Sequence, residues 1–239
     1  MTTQTIRHTD GRVLYECVAE TFREAVERAV GEEVSLEGAD LRDANLRGAY
    51  LVGADLWGAY LRRGDLVGAN LRDADLRDAN LVGAHLRNVY LEGASLGGST
   101  LRGADLRGAY LRDADLGGTD LRNAYLMRAN LIDAGQDSRG YRFVGVPTDG
   151  LRIAAGCRWF TLNEAQEHWA NSPDALARVE LIAAEARRRG WIATNSAQPP
   201  ASEGGRATAA HHDNADGPCC CGAWHVNEST PDHRNILIF

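Results

Sequence analysis

Two groups of cysteine and histidine residues hold the side chains that could do chemistry in this chain. Cys157 and His168 form the first group. A cysteine nucleophile acts as a thiolate, and it needs a base in contact with it that a third residue orients. The sequence shows no such third residue, and a lone cysteine close to Trp159 is typical of a packed core. A cysteine-dependent enzyme is therefore kept only as an alternative, and we expect no catalytic site.

The second group lies near the end of the sequence and could bind a metal ion. Cys219 and Cys221 with His225 offer the thiolate and imidazole ligands that zinc takes. Structural zinc sites usually draw their ligands from spaced pairs, because three adjacent residues such as Cys219–Cys221 do not easily point at one tetrahedral centre. These residues are weak metal candidates, so we expect neither a metal nor a cofactor.

Composition and charge limit the classes of function. The chain has 239 residues, and 26 basic against 33 acidic side chains give a formal net charge of −7. Proteins that bind nucleic acid directly are normally basic, so we do not expect that activity. No segment has the length and apolar character of a membrane span, and the five cysteines show no disulfide framework. We therefore predict a cytoplasmic protein without membrane contact.

The middle of the chain is an unbroken five-residue repeat. Leucine occupies position 36 and every fifth position after it through Leu131, which makes twenty leucines in register. Alanine stands two positions before the leucine in fifteen of these repeats. The residue between them is usually Asp, Asn or Tyr, and Gly, Asp or Asn usually stands two positions after the leucine.

A period of five fits neither a helix nor a flat strand. On a helix the leucines would spiral around the cylinder, and on a flat strand they would alternate between its faces. Alanine and leucine reach one core only if the chain turns a corner once per repeat, with Gly, Asp or Asn at that corner. The pattern predicts a solenoid whose coils stack about 4.8 Å apart.

These repeats, from Ala39 to Ala134, resemble the pentapeptide-repeat proteins. The resemblance implies a mainly β fold, a right-handed quadrilateral β-helix with four repeats in each coil. Twenty repeats then make about five coils. A stretch beyond the repeats, Ala155–Ala170, is similar to an extension found on some members of this family.

We predict four segments along the chain. Residues 1–34 form an N-terminal cap, with a hairpin that turns at Asp10-Gly11 and a helix that begins after Thr21 and ends at Gly31. Residues 35–135 form the β-helix. Residues 136–194 form a small α+β module, and residues 195–239 have the composition of a disordered tail.

Within the module we predict a hairpin followed by two helices. Gly135–Gly140 is a linker, and the strands are Tyr141–Val146 and Leu151–Phe160. One helix begins after Thr161, where Glu164 completes a capping box, and the other runs from Ser172-Pro173 to Gly190.

Stacked coils would sort the outer side chains onto separate faces, because residues twenty apart lie above one another. We call two of these the tyrosine face and the arginine face. The tyrosine face holds Tyr50, Tyr90, Tyr110, Arg72 and Arg112, and the arginine face holds Arg42, Arg62, Arg102 and Arg122. A third face carries Asp55, Asp75 and Asp115. Aromatic and arginine side chains are the preferred anchors of protein interfaces, although stacked ladders also stabilise a rod by themselves.

The function that we predict is a non-catalytic scaffold that presents these faces to a protein partner. The partner is unidentified, and a second copy of the chain remains open as one. An alternative follows from the resemblance, since some members of the family mimic duplex DNA and bind gyrase. A mimic needs dense negative charge. Residues 36–135 hold 14 acidic and 12 basic side chains, so 12 − 14 gives a net charge of only −2.

Overall fold

The computed structural model describes residues 1–148, 150–155 and 158–193. It begins with an antiparallel hairpin of β1 (Thr2–Arg7) and β2 (Val13–Ala19), followed by α1 (Phe22–Gly31). The Thr21 hydroxyl accepts a hydrogen bond from the backbone N–H of Glu24 and caps α1. The hairpin and the helix predicted for this segment are confirmed.

Each repeat in the middle of the chain makes one tight turn. The N–H of the alanine donates to the carbonyl of the leucine three residues earlier, as Ala39 does to Leu36 at 3.0 Å. The residue before that alanine has a positive φ, for example 61° at Gly38 and 57° at Asp73. A turn with positive φ at its third residue favours glycine, asparagine or aspartate there. The corner position predicted from the sequence is confirmed.

Successive coils are joined by parallel backbone pairing between residues twenty apart. The bridges run from Asp40 with Tyr60 up to Asp105 with Tyr125. The leucines and alanines point inward and, apart from the partly buried Ala44, are buried along the whole repeat region, which gives the repeats one continuous apolar core. The chain therefore has the mainly β, stacked repeat fold that the leucine spacing predicts.

Four of the five N–H groups in a typical repeat bond to backbone carbonyls, and a side chain serves the fifth. The fifth belongs to the residue after the leucine, and the Asp or Asn before the leucine accepts from it. Asp75 accepts from the N–H of Arg77 at 3.1 Å, and Asp120 accepts from that of Arg122 at 3.1 Å. The same bond forms in ten repeats. This need explains why Asp and Asn dominate the position between alanine and leucine.

The C-terminal module is a four-stranded antiparallel sheet with two helices. The strands lie in the order β3 (Ile132–Gln136), β4 (Arg142–Pro147), β5 (Leu151–Ala155) and β6 (Arg158–Thr161). The helices are α2 (Leu162–His168) and α3 (Pro173–Arg188). The Thr161–Glu164 capping box at the start of α2 is present as predicted.

Two details of the predicted module are wrong. The predicted linker Gly135–Gly140 begins inside β3, because Ile132 pairs with Gly145 of β4 and extends the sheet by one strand. The single predicted strand Leu151–Phe160 is two strands, β5 and β6, in which Ala155 pairs with Arg158.

The sheet of the module closes the end of the repeat core with one face and packs on the helices with the other. Val144, Val146 and Ala154 join the apolar core of the repeats. Phe143 and Ile153, on the opposite face, pack in a second core with residues of α2 and α3. Among the described helices, none is long and apolar enough to cross a membrane. The predicted tail, residues 195–239, lies outside the described residues.

Candidate interaction surface

The tyrosine face contains a column of three stacked side chains on successive coils. The rings of Tyr90 and Tyr110 are stacked and nearly parallel, with an interplanar angle of 5° and centroids 4.9 Å apart. The guanidinium carbon of Arg72 lies 4.6 Å from the centroid of the Tyr90 ring. Arg72 also donates to the Glu92 carboxylate at 3.1 Å, which fixes it in place. The result is a rigid cation–aromatic stack with its outer edge in solvent.

Tyr50 lies on the same face but does not reach this column. Asn70 occupies the coil between Tyr50 and Tyr90, as the bridges of Asn70 with both tyrosines show. The backbone N–H of Tyr50 donates to the Glu27 carboxylate of α1 at 2.9 Å. The side chain of Tyr50 is 64% exposed, more than the 43% of Tyr110. The predicted tyrosine face therefore consists of one separate tyrosine and one stacked pair.

Tyrosine occupies positions where Asp or Asn would satisfy a backbone donor. A phenol cannot bend back to accept from the N–H two residues later, so Tyr50, Tyr90 and Tyr110 do without that hydrogen bond. The net contribution of one such hydrogen bond to the free energy of unfolding is about 0.5–1.5 kcal/mol. The aromatic rings are nonetheless partly exposed rather than buried in the core. Three such substitutions on one face indicate a role at the surface.

The arginine face is mostly neutralised by its own carboxylates. Arg42 makes two hydrogen bonds to Asp40, at 2.7 and 2.5 Å, and Arg122 makes two to Asp120, at 2.8 and 2.6 Å. Arg102 lies 4.0 Å from the same Asp120. Within the described ranges, Arg62 is the member of this face that has no ion pair. The face presents held ion pairs rather than a row of free positive charges.

Several acidic residues of the rod are paired in the same way, although Asp55 and Asp115 of the predicted acidic face form no ion pair with the described residues. Arg77 forms a bidentate pair with Asp75, and this hydrogen bonding holds the pKa of Asp75 below its ordinary value despite partial burial. Arg107 and Asp105 repeat the arrangement on another face. The described carboxylates therefore do not line up as two rows of free negative charge, which a DNA-like surface requires.

Three exposed apolar side chains were not predicted as site residues. Trp57 is 45% exposed and donates its indole N–H to Asp78 at 3.1 Å. Tyr125 and Met127 are 62% and 65% exposed, and they lie near the C-terminal end of one face. Trp57 lies on the face that carries Asp55, Asp75 and Asp115, where the twenty-residue spacing places it.

The deciding observation for the family is the repeat itself. A family model described as pentapeptide repeats matches the chain in eight copies, over residues 32–68, 69–108 and 104–134. Residues 32–134 belong to the pentapeptide-repeat family. The match ends within β3, so the C-terminal module lies outside it.

Several solved structures of pentapeptide-repeat proteins are similar to part of this chain. One, from the cyanobacterium Cyanothece 51142, is 34% identical, with a TM-score of 0.35, over 36% of this chain and 58% of its own. One from the thylakoid lumen of Arabidopsis thaliana is 29% identical, with a TM-score of 0.37, over 38% and 63%. QnrB1, a plasmid-mediated fluoroquinolone resistance protein, is 22% identical, with a TM-score of 0.20, over 42% and 55%. The chain thus spans less than two thirds of each of these proteins, and no curated protein sequence matches it.

The residues predicted for chemistry fall mostly outside the described part of the structure. Cys157, Cys219, Cys221 and His225 are not among the described residues. His168 ends α2, where its ring lies against Phe160 and Trp169. In the described ranges, no group of three His, Cys, Asp or Glu side chains could hold a metal ion.

Proposed function

We propose that this pentapeptide-repeat protein is a non-catalytic scaffold that binds a protein partner through its tyrosine face. The observation that carries the proposal is the placement of Tyr50, Tyr90 and Tyr110. These residues forgo a backbone hydrogen bond that Asp or Asn makes elsewhere, yet their rings lie at the surface. Tyr60 and Tyr125 occupy the same repeat position singly on other faces, so the tyrosine face is distinguished by three tyrosines that share it with Arg72.

The chemistry of the tyrosine face suits a protein partner. Tyrosine presents a large, rigid, amphipathic surface with little conformational entropy to lose, and tyrosine and arginine are enriched among the residues that dominate binding energy. Arg72 is already ordered by Tyr90 and Glu92, so binding does not need to immobilise it. Asn70 and Asn130, on the same face, add hydrogen-bonding amides.

We also infer the finer form of the rod: a right-handed, four-sided β-helix of about five coils. Its support is that bridged residues are twenty apart and that each five-residue unit contains one turn. Four turns per coil give four faces, and these faces are what separates the tyrosines from the paired arginines.

The experiment replaces the aromatic groups of this face and compares them with equivalent groups elsewhere. The test variant carries Tyr50→Ser, Tyr90→Ser and Tyr110→Ser. The control variant carries Tyr60→Ser and Tyr125→Ser, which remove exposed tyrosines from the other faces. Both variants are immobilised and exposed to extract from the native cell, and retained proteins are identified by mass spectrometry. Circular dichroism and thermal melting establish that both are folded.

We expect a protein retained by the wild type and by the control to be lost from the test variant. If the test variant retains the same proteins in the same amounts, the tyrosine face is not the binding surface. Loss from the control alone would move the site to Tyr60 or Tyr125.

A gyrase supercoiling assay separates this proposal from the DNA-mimic alternative. Eight of the fourteen acidic side chains in residues 36–135 form ion pairs with arginine, which leaves little free negative charge on the rod. We therefore expect added protein to leave supercoiling unchanged. Inhibition that follows the protein concentration would favour the alternative instead.

A further inference from the structure

A second surface feature lies at the junction between the rod and the C-terminal module. It is an open cleft of about 790 Å³, within the size range of small-molecule sites. Its polar lining includes Arg152 of β5 and Arg187 of α3. Its apolar lining comes from Leu151, Leu162 and Ile192.

The two arginines of the cleft differ from the arginines of the rod. On the rod, Arg42, Arg77, Arg107 and Arg122 are each held by the aspartate two residues earlier. Over the part of the chain that the structure describes, Arg152 and Arg187 form no ion pair, although both are half-buried. A partly desolvated guanidinium without an anion is unfavourable, so an anion bound between the two would be stabilised.

The acidic side chains around the cleft are already engaged elsewhere. Glu164 accepts from the backbone N–H of Thr161 at 2.7 Å and from its hydroxyl at 2.9 Å. Glu180 accepts from Gln166 at 2.7 Å. Asp113 lies 3.3 Å from Arg112 of the rod. Glu164 also interacts electrostatically with Arg152, whereas no described acidic side chain is ion-paired with Arg187.

We propose that this cleft binds a small organic phosphate, whose phosphoryl group contacts Arg152 and Arg187 and whose apolar body packs on Leu151, Leu162 and Ile192. A phosphate monoester carries close to two negative charges at neutral pH, which matches two guanidinium groups. Arginine binds phosphate oxygens through paired N–H donors. Both arginines project from a strand and a helix rather than from a loop, so the site is held in place before binding. This proposal does not depend on the tyrosine face.

Phenyl phosphate is the probe for this cleft, measured by isothermal titration calorimetry with the full chain. We expect saturable binding at a single site. Inorganic phosphate, which lacks the apolar body, and benzoate, which carries one charge, should each bind more weakly. Arg152→Gln and Arg187→Gln should each weaken phenyl phosphate binding about tenfold, the effect of losing a charge-assisted hydrogen bond.

Arg158→Gln is the matched control. Arg158 lies on β6, in the same sheet, and like the cleft arginines it has no ion pair within the described ranges, but it does not line the cleft. Its substitution should leave binding unchanged. The proposal is wrong if phenyl phosphate does not bind at millimolar concentration, or if Arg158→Gln weakens binding as much as Arg152→Gln does.

A second measurement uses the unsubstituted protein, in case a variant does not fold. Phenyl phosphate is titrated into the isotope-labelled chain, and backbone amide shifts are followed by NMR. The largest shifts are expected at residues of the cleft, such as Gly150, Leu151 and Asn163. Shifts confined to any other part of the surface would overturn the assignment.

Discussion

The two ends of the repeat rod are closed by different kinds of contact. At the N-terminal end, the chain extends the backbone pairing of the rod. The N–H of Asp40 donates to the carbonyl of Arg7 at 2.8 Å, and the N–H of Thr9 donates to that of Gly38 at 3.1 Å. The first coil then packs on α1, and its leucines are almost completely buried, although Ala44 is only partly buried.

At the C-terminal end, arginine side chains donate to backbone carbonyls of the last repeats, including an alanine carbonyl of the kind that the next coil serves elsewhere in the rod. Arg142 donates to the carbonyl of Ala124 at 2.9 Å, and Arg189 donates to that of Leu131 at 3.0 Å. The core is also less well covered there, since Leu126 and Ala129 keep 6% and 7% of their surface exposed. The comparison shows that a solenoid end can be closed by backbone continuation or by a separate module with charged side chains. We expect the second kind to open first.

Core truncation at each end should give the largest difference. Leu46→Ala removes a fully buried side chain from the first coil, and Leu126→Ala removes one that is 6% exposed from the last. We expect Leu46→Ala to lower the free energy of unfolding by about 3–5 kcal/mol and Leu126→Ala by about 2–3 kcal/mol, because a looser site relaxes around the cavity. Urea denaturation measures both. An equal or greater loss at Leu126 would contradict the difference between the ends.

The arginines that reach across each end provide the next test. Arg142 is largely buried, and it pairs with Asp133 as well as with the Ala124 carbonyl. Arg142→Ala leaves the Asp133 carboxylate and the Ala124 carbonyl without this hydrogen-bond donor. We therefore expect the free energy of unfolding to fall by about 2–3 kcal/mol. Arg23→Ala, which removes an exposed arginine that donates to the Arg47 carbonyl, should lose no more than about 1 kcal/mol. Similar losses would mean that Arg142 is not needed to close the rod.

The structure of the repeats could be predicted from the sequence far better than the structure of the C-terminal module. One leucine in every five residues constrains the chain to turn at each repeat, and the Asp and Asn positions report which backbone donors need an acceptor. The strand Ile132–Gln136 was missed because its pairing with β4 is set by tertiary contact, not by a local pattern. The hydrogen-bond partners of the arginines could not be predicted from the sequence either, since Arg142 donates to a carbonyl eighteen residues away in sequence. The Arg72–Tyr90–Tyr110 column was partly predicted, because twenty-residue spacing places its members together.

Acid should weaken the C-terminal end through Asp133. Burial by itself raises the pKa of Asp133, but hydrogen bonds from Arg142 and from the N–H of Gly135 outweigh it, so the pKa lies below the ordinary 3.8. A lowered folded-state pKa means that the stabilisation is complete above the unfolded-state pKa and is lost as pH falls through the folded-state pKa. We therefore expect the stability difference between wild type and Asp133→Asn to shrink as pH falls below about 3.8.

Urea denaturation of both proteins at a series of pH values measures that difference. Hydrogen exchange at the same pH values locates the opening, which should appear in β3 and β4 before it appears in β1 and β2. A stability difference that stays constant down to strongly acidic pH would show that Asp133 does not titrate with folding.

The smallest expected effect compares two arginines that occupy the glycine corner of their turns. Arg63, near the N-terminal end, has φ 57°, and Arg128, near the C-terminal end, has φ 63°. A side chain at positive φ raises the energy of the folded chain by about 1–2 kcal/mol, and glycine relieves this while losing part of the gain to backbone entropy. We expect Arg63→Gly to stabilise the protein by about 0.5–1 kcal/mol. Arg128→Gly should gain less in the same urea titration, because a region that opens before global unfolding contributes less of its strain to the measured free energy. Equal gains at both positions would indicate that the two ends unfold together.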